Sequence, residues 1–384
     1  MTQQSRLLDL LKGHSTAAQI LDLPDTDLGL AELEPFPFLG IVGQEEMKLA
    51  LLLAVINPLV GGVLLIGSRG TAKTTAARSL IDLLPRRQRS LCPNGCTEER
   101  LEEQGLEGIC QDCAKKVGYG QPLTIEDRVR MVELPLNARL DDVVGGINER
   151  VVLEQQKVRL ERGILARADG NILYIDEVNL LDSQVSDAIL DAAAQGFYMV
   201  RRGPQNLRYR SQFLLIGSMN PEEGQLRPQI MDRFGLRAVV KGLTDPQQRF
   251  QVYEQSIFYR NNPEKLAAIY AEQTLTLAEE VNAARERLPK VTLHKDAVKL
   301  GLSLIEELQI DSSRAEITLF EAARAHASAD ERLEAMPADV QAVALLALRQ
   351  RQSKGLVAFF EAQQEEDSKV EGLLNGAGEN KSNN

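Results

Sequence analysis

Val63-Leu-Leu-Ile66, followed at once by Gly67-Ser-Arg-Gly-Thr-Ala-Lys73-Thr74, is the stretch whose reading decides the fold. Four apolar residues in a row indicate a strand buried on both faces, and the glycine-rich run is the turn from that strand into a helix. A loop of this kind points successive backbone N–H groups inward at a polyphosphate. Its lysine, Lys73, neutralises the β/γ oxygens, and the Thr74 hydroxyl reaches Mg²⁺ at the start of the next helix, predicted over Thr74–Leu84. Gly67, Arg69, Gly70, Thr71, Ala72, Lys73 and Thr74 are thus the candidate nucleotide-cradling residues. Ala72 stands where a third glycine is usual, and its methyl group is small enough for the cradle to tolerate.

Two later segments give this loop its chemistry. Ile172-Leu-Tyr-Ile-Asp176-Glu177 is an apolar strand ending in paired carboxylates. Asp176 is placed to hold the Mg²⁺ water shell, and Glu177 to polarise an attacking water. Phe213-Leu-Leu-Ile-Gly-Ser-Met-Asn220 ends a further buried strand in an amide that suits the orientation of that water. An acidic strand end or a turn-forming asparagine alone means little; their order behind a phosphate loop gives them a hydrolytic reading. Arg233, in Met231-Asp-Arg-Phe-Gly235, follows a predicted helix and precedes the Leu236–Val240 strand. From there it can project to a subunit edge and stabilise charge on a neighbour's γ-phosphoryl oxygens, or pair within its own chain with Asp232 or a neighbour.

All four cysteines lie in one insert, at about residues 92–113. Cys92-Pro-Asn-Gly-Cys96 and Cys110-Gln-Asp-Cys113 are close pairs 13 residues apart, the spacing of a tetrahedral Cys₄ zinc site. A redox-active pair and four buried thiols are the alternatives. His14, His294 and His326 are scattered and lack ligand spacing.

Working outward, Gln44–Asn57 reads as a helix stopped by Pro58, and short apolar runs at Val132–Pro135, Ile172–Ile175, Phe213–Ile216 and Ala238–Val240 alternate with helical patterns such as Ser183–Gln195. That alternation predicts an α/β fold with a parallel sheet covered on both faces. Residues 1–34 are an extension of mixed character, 35–242 the α/β domain and 245–365 a helical domain. A tail at 366–384, rich in Glu, Gly, Asn and Ser, reads as disordered. The net charge of -11 and pI ≈ 5.1 argue against a general grip on nucleic acid. No run is long and apolar enough to span a bilayer and the start lacks a signal-peptide core, so the expected compartment is the cytoplasm.

The order of phosphate loop, Asp-Glu strand, Asn strand, Asp-Arg-Phe-Gly and helical domain resembles an AAA+ ATPase. Four stretches, Phe38–Glu45, Gly61–Gly67, Tyr174-Ile-Asp-Glu-Val-Asn-Leu-Leu-Asp182 and Gly217-Ser-Met-Asn-Pro-Glu-Glu-Gly-Gln-Leu-Arg-Pro228, resemble more specifically the ATPase subunits of magnesium chelatase and their cobalt-chelatase relatives. The resemblance covers about Pro35 to Leu348. It implies an AAA+ core with a C-terminal helical domain, ATP and Mg²⁺ as cofactors, Asn220 as first sensor, Arg233 as a finger acting in trans, and Arg314 as the sensor arginine of the helical domain. It also implies a homo-oligomeric ring, a hexamer, working with a second AAA+ subunit that carries an integrin-like domain and with a large porphyrin-binding subunit. The activity implied is ATP-driven insertion of Mg²⁺ into protoporphyrin IX in chlorophyll and bacteriochlorophyll biosynthesis, hence in photosynthesis. The cysteine insert is a feature shared with cobalt-chelatase-like relatives, so a cobalt chelatase of cobalamin biosynthesis is the alternative, with a MoxR-type remodelling chaperone behind it. Two insertions belong to the pattern: a hairpin from Val144 to Ile164, hinged at Gly145-Gly146, and a second from Gly196 to Tyr209 bearing Arg201, Arg202 and Arg208.

Overall fold

The computed structural model describes residues 34–92, 95–146, 162–202, 205–224 and 226–351. Helix α1 (Glu45–Ile56) leads into β1 (Val63–Ile66), the glycine-rich loop and α2 (Lys73–Ser79). An excursion follows, made of β2 (Arg87–Ser90), α3 (Glu98–Gln104), α4 (Gln111–Gly118) and β3 (Thr124–Asp127). The chain then forms β4 (Met131–Leu134), α5 (Leu140–Val144), α6 (Ile164–Ala168), β5 (Ile172–Ile175) and α7 (Ser183–Gln195). Strands β6 (Phe197–Arg202) and β7 (Gln205–Arg210) make an antiparallel hairpin before β8 (Leu214–Met219), α8 (Pro228–Arg233) and β9 (Leu236–Val239).

The central sheet has the order β4-β5-β8-β1-β9, all parallel. Every residue of β1 and β5 is buried, as expected of strands covered on both faces. Side chains alternate between two cores: Val63 and Leu65 join one with α1, whereas Leu64 and Ile66 join another with α7. Full burial of each such side chain contributes about 1.5–3 kcal/mol. Gly67, just past β1, has no room for a side chain, because a Cβ there would sit 2.1 Å from the Val240 carbonyl oxygen. The loop therefore leaves the sheet tight against the end of β9.

The predicted helix over Thr74–Leu84 is α-helical only through Ser79 and continues as a tighter 3₁₀ turn over Leu80–Leu83. Leu84 is extended because Pro85 follows it. The excursion folds around its own small core of Cys92, Cys96, Ile109, Cys113 and Leu123, closed at its base by the β2–β3 pairing.

Beyond β9 come α9 (Pro246–Asn261), α10 (Pro263–Arg287), β10 (Thr292–Leu293), α11 (Lys295–Glu307), α12 (Ser313–Ala329), β11 (Glu334–Ala335) and α13 (Pro337–Leu348). Pro263 and Pro289 mark the helix breaks, as their missing N–H groups require. Helix α12 buries Ala315, Ala322, Ala323, Ala325 and Ala327, small residues that let α13 approach closely. Its upper turns pack on the sheet side, and buried Asn57 at the end of α1 donates from Nδ2 to the Glu321 carboxylate at 2.7 Å. Residues 1–33, the 147–161 part of the first insertion and the 366–384 tail lie outside the described residues. Among the described residues no helix is long and apolar enough to cross a membrane.

Candidate functional site

The sheet order sets β8 between β5 and β1, so three strand ends meet: the loop after β1, Asp176-Glu177 after β5, and Asn220 after β8. The loop turns through Gly70 (φ 76°) and Ala72 (φ 64°), both left-handed. Alanine pays about 1–2 kcal/mol for that conformation, strain of the kind that persists where the fold imposes a required turn. Lys73 is buried, and its Nζ donates to the Gly67 and Ser68 carbonyls at 2.7 Å each, beneath the loop. Burial pushes its ammonium below the usual range, opposed by the nearby carboxylates of Asp176, Glu177 and Glu223.

A hydroxyl relay joins the strand ends. Tyr174 Oη lies 2.8 Å from Thr74 Oγ1 and donates to Asp176 Oδ1 at 3.3 Å. Ser218 Oγ donates a short bond to the same Asp176 oxygen and accepts from the Glu177 backbone N–H at 3.2 Å. Thr74 and Asp176, the candidate Mg²⁺ holders, are thus one tyrosine apart. Burial raises that tyrosine's phenol above its usual range. Glu177 has φ 50°, a second strained non-glycine position, and is contacted by Arg69. Asn220 is buried; its Oδ1 accepts from the Glu222 N–H at 3.3 Å and caps the Pro221–Glu223 turn, leaving the Nδ2 donor for other acceptors. Tyr174, Ser218 and Glu223 went unremarked in the sequence. Tyr174 and Ser218 each lie two residues before a candidate residue on the same strand face, which is the signal that points to them.

The structure places Arg233 and Arg314 elsewhere. Gly235 donates its N–H to the Gly61 carbonyl at 3.2 Å, level with the start of β1, so α8 sits at the end of the sheet opposite the loop. Arg233 pairs with Asp191 of α7 at 3.1 Å, not with Asp232. Asp232 instead gathers Arg314 Nη1 (3.1 Å), Arg351 Nη1 (3.2 Å) and Ser312 Oγ (3.3 Å). Buried Arg351 also donates to the Gly235 carbonyl at 2.9 Å. The two candidate arginines therefore share one edge of the molecule, Arg233 held by Asp191 of α7 and Arg314 by Asp232 of α8.

The four cysteine sulfurs converge: all lie within 4.8 Å of one another. A tetrahedral thiolate set around zinc spaces its sulfurs about 3.8 Å apart, and Cys92 Sγ is 3.5 Å from Cys110 Sγ. The Cys110 N–H donates to Cys96 Sγ at 3.2 Å, and Arg162 Nη2 donates to the Cys92 carbonyl at 3.1 Å. Burial pushes the Cys96 and Cys113 thiols up. His326, by contrast, packs on buried Asp339, whose carboxylate is also taken by Arg332.

Comparison with known proteins agrees with this architecture. Residues 296–372 match the family model of the AAA lid domain. A magnesium-chelatase subunit ChlI homolog of Methanocaldococcus jannaschii is 40% identical over 88% of this chain and 91% of its own length. The chloroplastic magnesium-chelatase subunit ChlI-2 of Arabidopsis thaliana is 40% identical over 83% of this chain and 76% of its own. A solved protein of Cytophaga hutchinsonii shares the fold at 19% identity, with a TM-score of 0.52 over 82% of this chain and 84% of that one. With its parallel five-stranded core, its lid and this extent of identity, the chain belongs to the magnesium-chelatase subunit ChlI family of AAA+ proteins.

Proposed function

We propose that this chain is the ATP-hydrolysing motor subunit of a magnesium chelatase, driving insertion of Mg²⁺ into protoporphyrin IX in the cytoplasm. The observation that carries the reading is the junction of loop, Asp176-Glu177 and Asn220 at three adjacent strand ends, in a chain of the ChlI family. ATP is held by the Gly67–Thr74 loop with Lys73 on its phosphates, and Mg²⁺ by Thr74 and Asp176. Glu177 takes the proton of the attacking water, and Asn220 orients that water. Arg233 and Arg314 lie at the end of the sheet opposite their own loop, which supports Arg233 as the finger acting in trans, beside Arg314 as the sensor arginine of the helical domain, in a homo-oligomeric, hexameric ring. A second AAA+ subunit and a large porphyrin-binding subunit complete the enzyme, residues 35–242 and 245–365 being the nucleotide and helical domains. Reconstitution with those two subunits, scoring ATP-dependent insertion of Mg²⁺ and of Co²⁺ separately, tests the reading. Insertion of Co²⁺ alone would transfer it to the cobalt relatives.

The second part of the proposal is a structural zinc held by Cys92, Cys96, Cys110 and Cys113. Zinc there supplies the crosslink that a core of five buried residues lacks. Purified protein without zinc, and with four freely titratable thiols, overturns it.

A further inference from the structure

Arg69 is the third residue of the phosphate loop, and its side chain is largely exposed. Its guanidinium nevertheless engages carboxylates from two different strand ends. Nε and Nη2 both donate to Glu177 Oε1, at 3.1 and 2.8 Å, and Nη2 lies 2.5 Å from Glu223 Oε1. Both acids are shielded, with side-chain exposures of 13% and 22%. The hydrogen bond to Glu177 is the main reason the guanidinium is held above its ordinary range. Glu223 stands at the end of the turn that Asn220 caps, so one cation links the phosphate loop, the base and the sensor segment.

A carboxylate oxygen that accepts two guanidinium N–H bonds is fixed in place and has its lone-pair directions occupied, so it is not free to approach a water. The cation has a choice of partners: Glu177, Glu223, or the phosphate oxygens that the loop cradles. Time spent on Glu177 is time in which the base is restrained. We propose that Arg69 is a positioning residue that restrains Glu177, and that Glu223 competes for Arg69 and so sets the strength of the restraint. This deepens the reading of Glu177 as the general base and rests on it.

The test is a kinetic cycle on the full chain at saturating ATP, with nucleotide binding measured for each variant. Arg69→Ala is expected to raise turnover about two- to fivefold, the scale of an exposed ion pair, while raising KM because the loop loses a cation. Glu223→Gln is expected to lower turnover by a similar factor with KM little changed. The double variant should match Arg69→Ala, because Glu223 acts only through Arg69. Arg69→Lys, which keeps the charge but not the fork, should fall between wild type and Arg69→Ala. A fall in turnover on Arg69→Ala that lysine restores, or no change in either variant, overturns the proposal. So does an equal effect of Glu223→Gln in both backgrounds. If Arg69→Ala does not fold, the lysine and Glu223→Gln arms still decide. Arg69→Ala/Glu177→Gln must be inactive; turnover in that protein removes Glu177 as the base, a distinct failure.

Discussion

At the carboxyl ends of β1, β5 and β8, the chain gathers Asp176, Glu177 and Glu223 around a loop lysine. At the amino end of β9, it gathers Arg314 and Arg351 around Asp232, with Arg233 next in sequence. A four-residue strand spans about 13 Å, so neither cluster completes the other within one chain. The first has the proposed cradle and base, and the second has a cluster of guanidinium groups. Their chemistry is complementary and their positions are opposite, an arrangement that suits the proposed head-to-tail ring.

The largest expected effect breaks the comparison at its carboxyl end. Lys73→Ala removes the charge beneath the loop and should weaken ATP binding by at least about 100-fold, the scale of a desolvated charge partner. Titration with a fluorescent ATP analogue measures it, and retained tight binding would contradict the loop assignment. Glu177→Gln should leave nucleotide bound and slow hydrolysis by about 10²–10⁴-fold; unchanged single-turnover rates would remove its role.

A mixing experiment then tests whether the two ends meet. Arg233→Ala and Glu177→Gln protomers are each expected to be inactive alone. Mixed in one ring, they form interfaces that pair an intact base with an intact arginine, so part of the hydrolysis should return. Mixtures that stay as inactive as the separate variants would confine Arg233 to its pair with Asp191. The cysteine excursion contrasts with both ends, because the proposed zinc would order it by a crosslink. Cys96→Ser/Cys113→Ser should lose bound zinc and lower the melting temperature by about 5 °C, with ATP affinity kept; unchanged metal content argues against the site.

Legibility followed the same divide. The loop, Asp176-Glu177 and Asn220 are each strand-to-turn motifs of a few residues, so local pattern reaches them, and the strands themselves read as continuous apolar runs. The contacts that join them do not. Tyr174 meets Thr74 across 100 residues and Arg69 meets Glu177 across 108, because the order β5-β8-β1 is a property of the sheet and not of any segment. Asp232 is less legible still: its partners Arg314 and Arg351 come from beyond the helical region's first two helices, 82 and 119 residues away. Pattern offered Asp232 or a neighbour as the intrachain alternative for Arg233; adjacent residues on a six-residue helix point in different directions, and Arg233 meets Asp191 of α7 instead.

The smallest expected effect concerns the one irregular letter of the loop. Ala72 holds φ 64°, where a methyl costs about 1–2 kcal/mol. Glycine would relieve that strain, but it returns about 0.4–1 kcal/mol of chain entropy to the unfolded state. The two terms oppose each other, so Ala72→Gly should stabilise the fold by about 0–1.6 kcal/mol, a rise of about 6 °C at most. The backbone N–H groups keep their direction, since the turn is already left-handed with alanine in place. ATP affinity should therefore change less than about twofold. A larger loss would mean that the methyl group pre-sets the cradle, making the irregular residue part of how the carboxyl end of the sheet is prepared for phosphate.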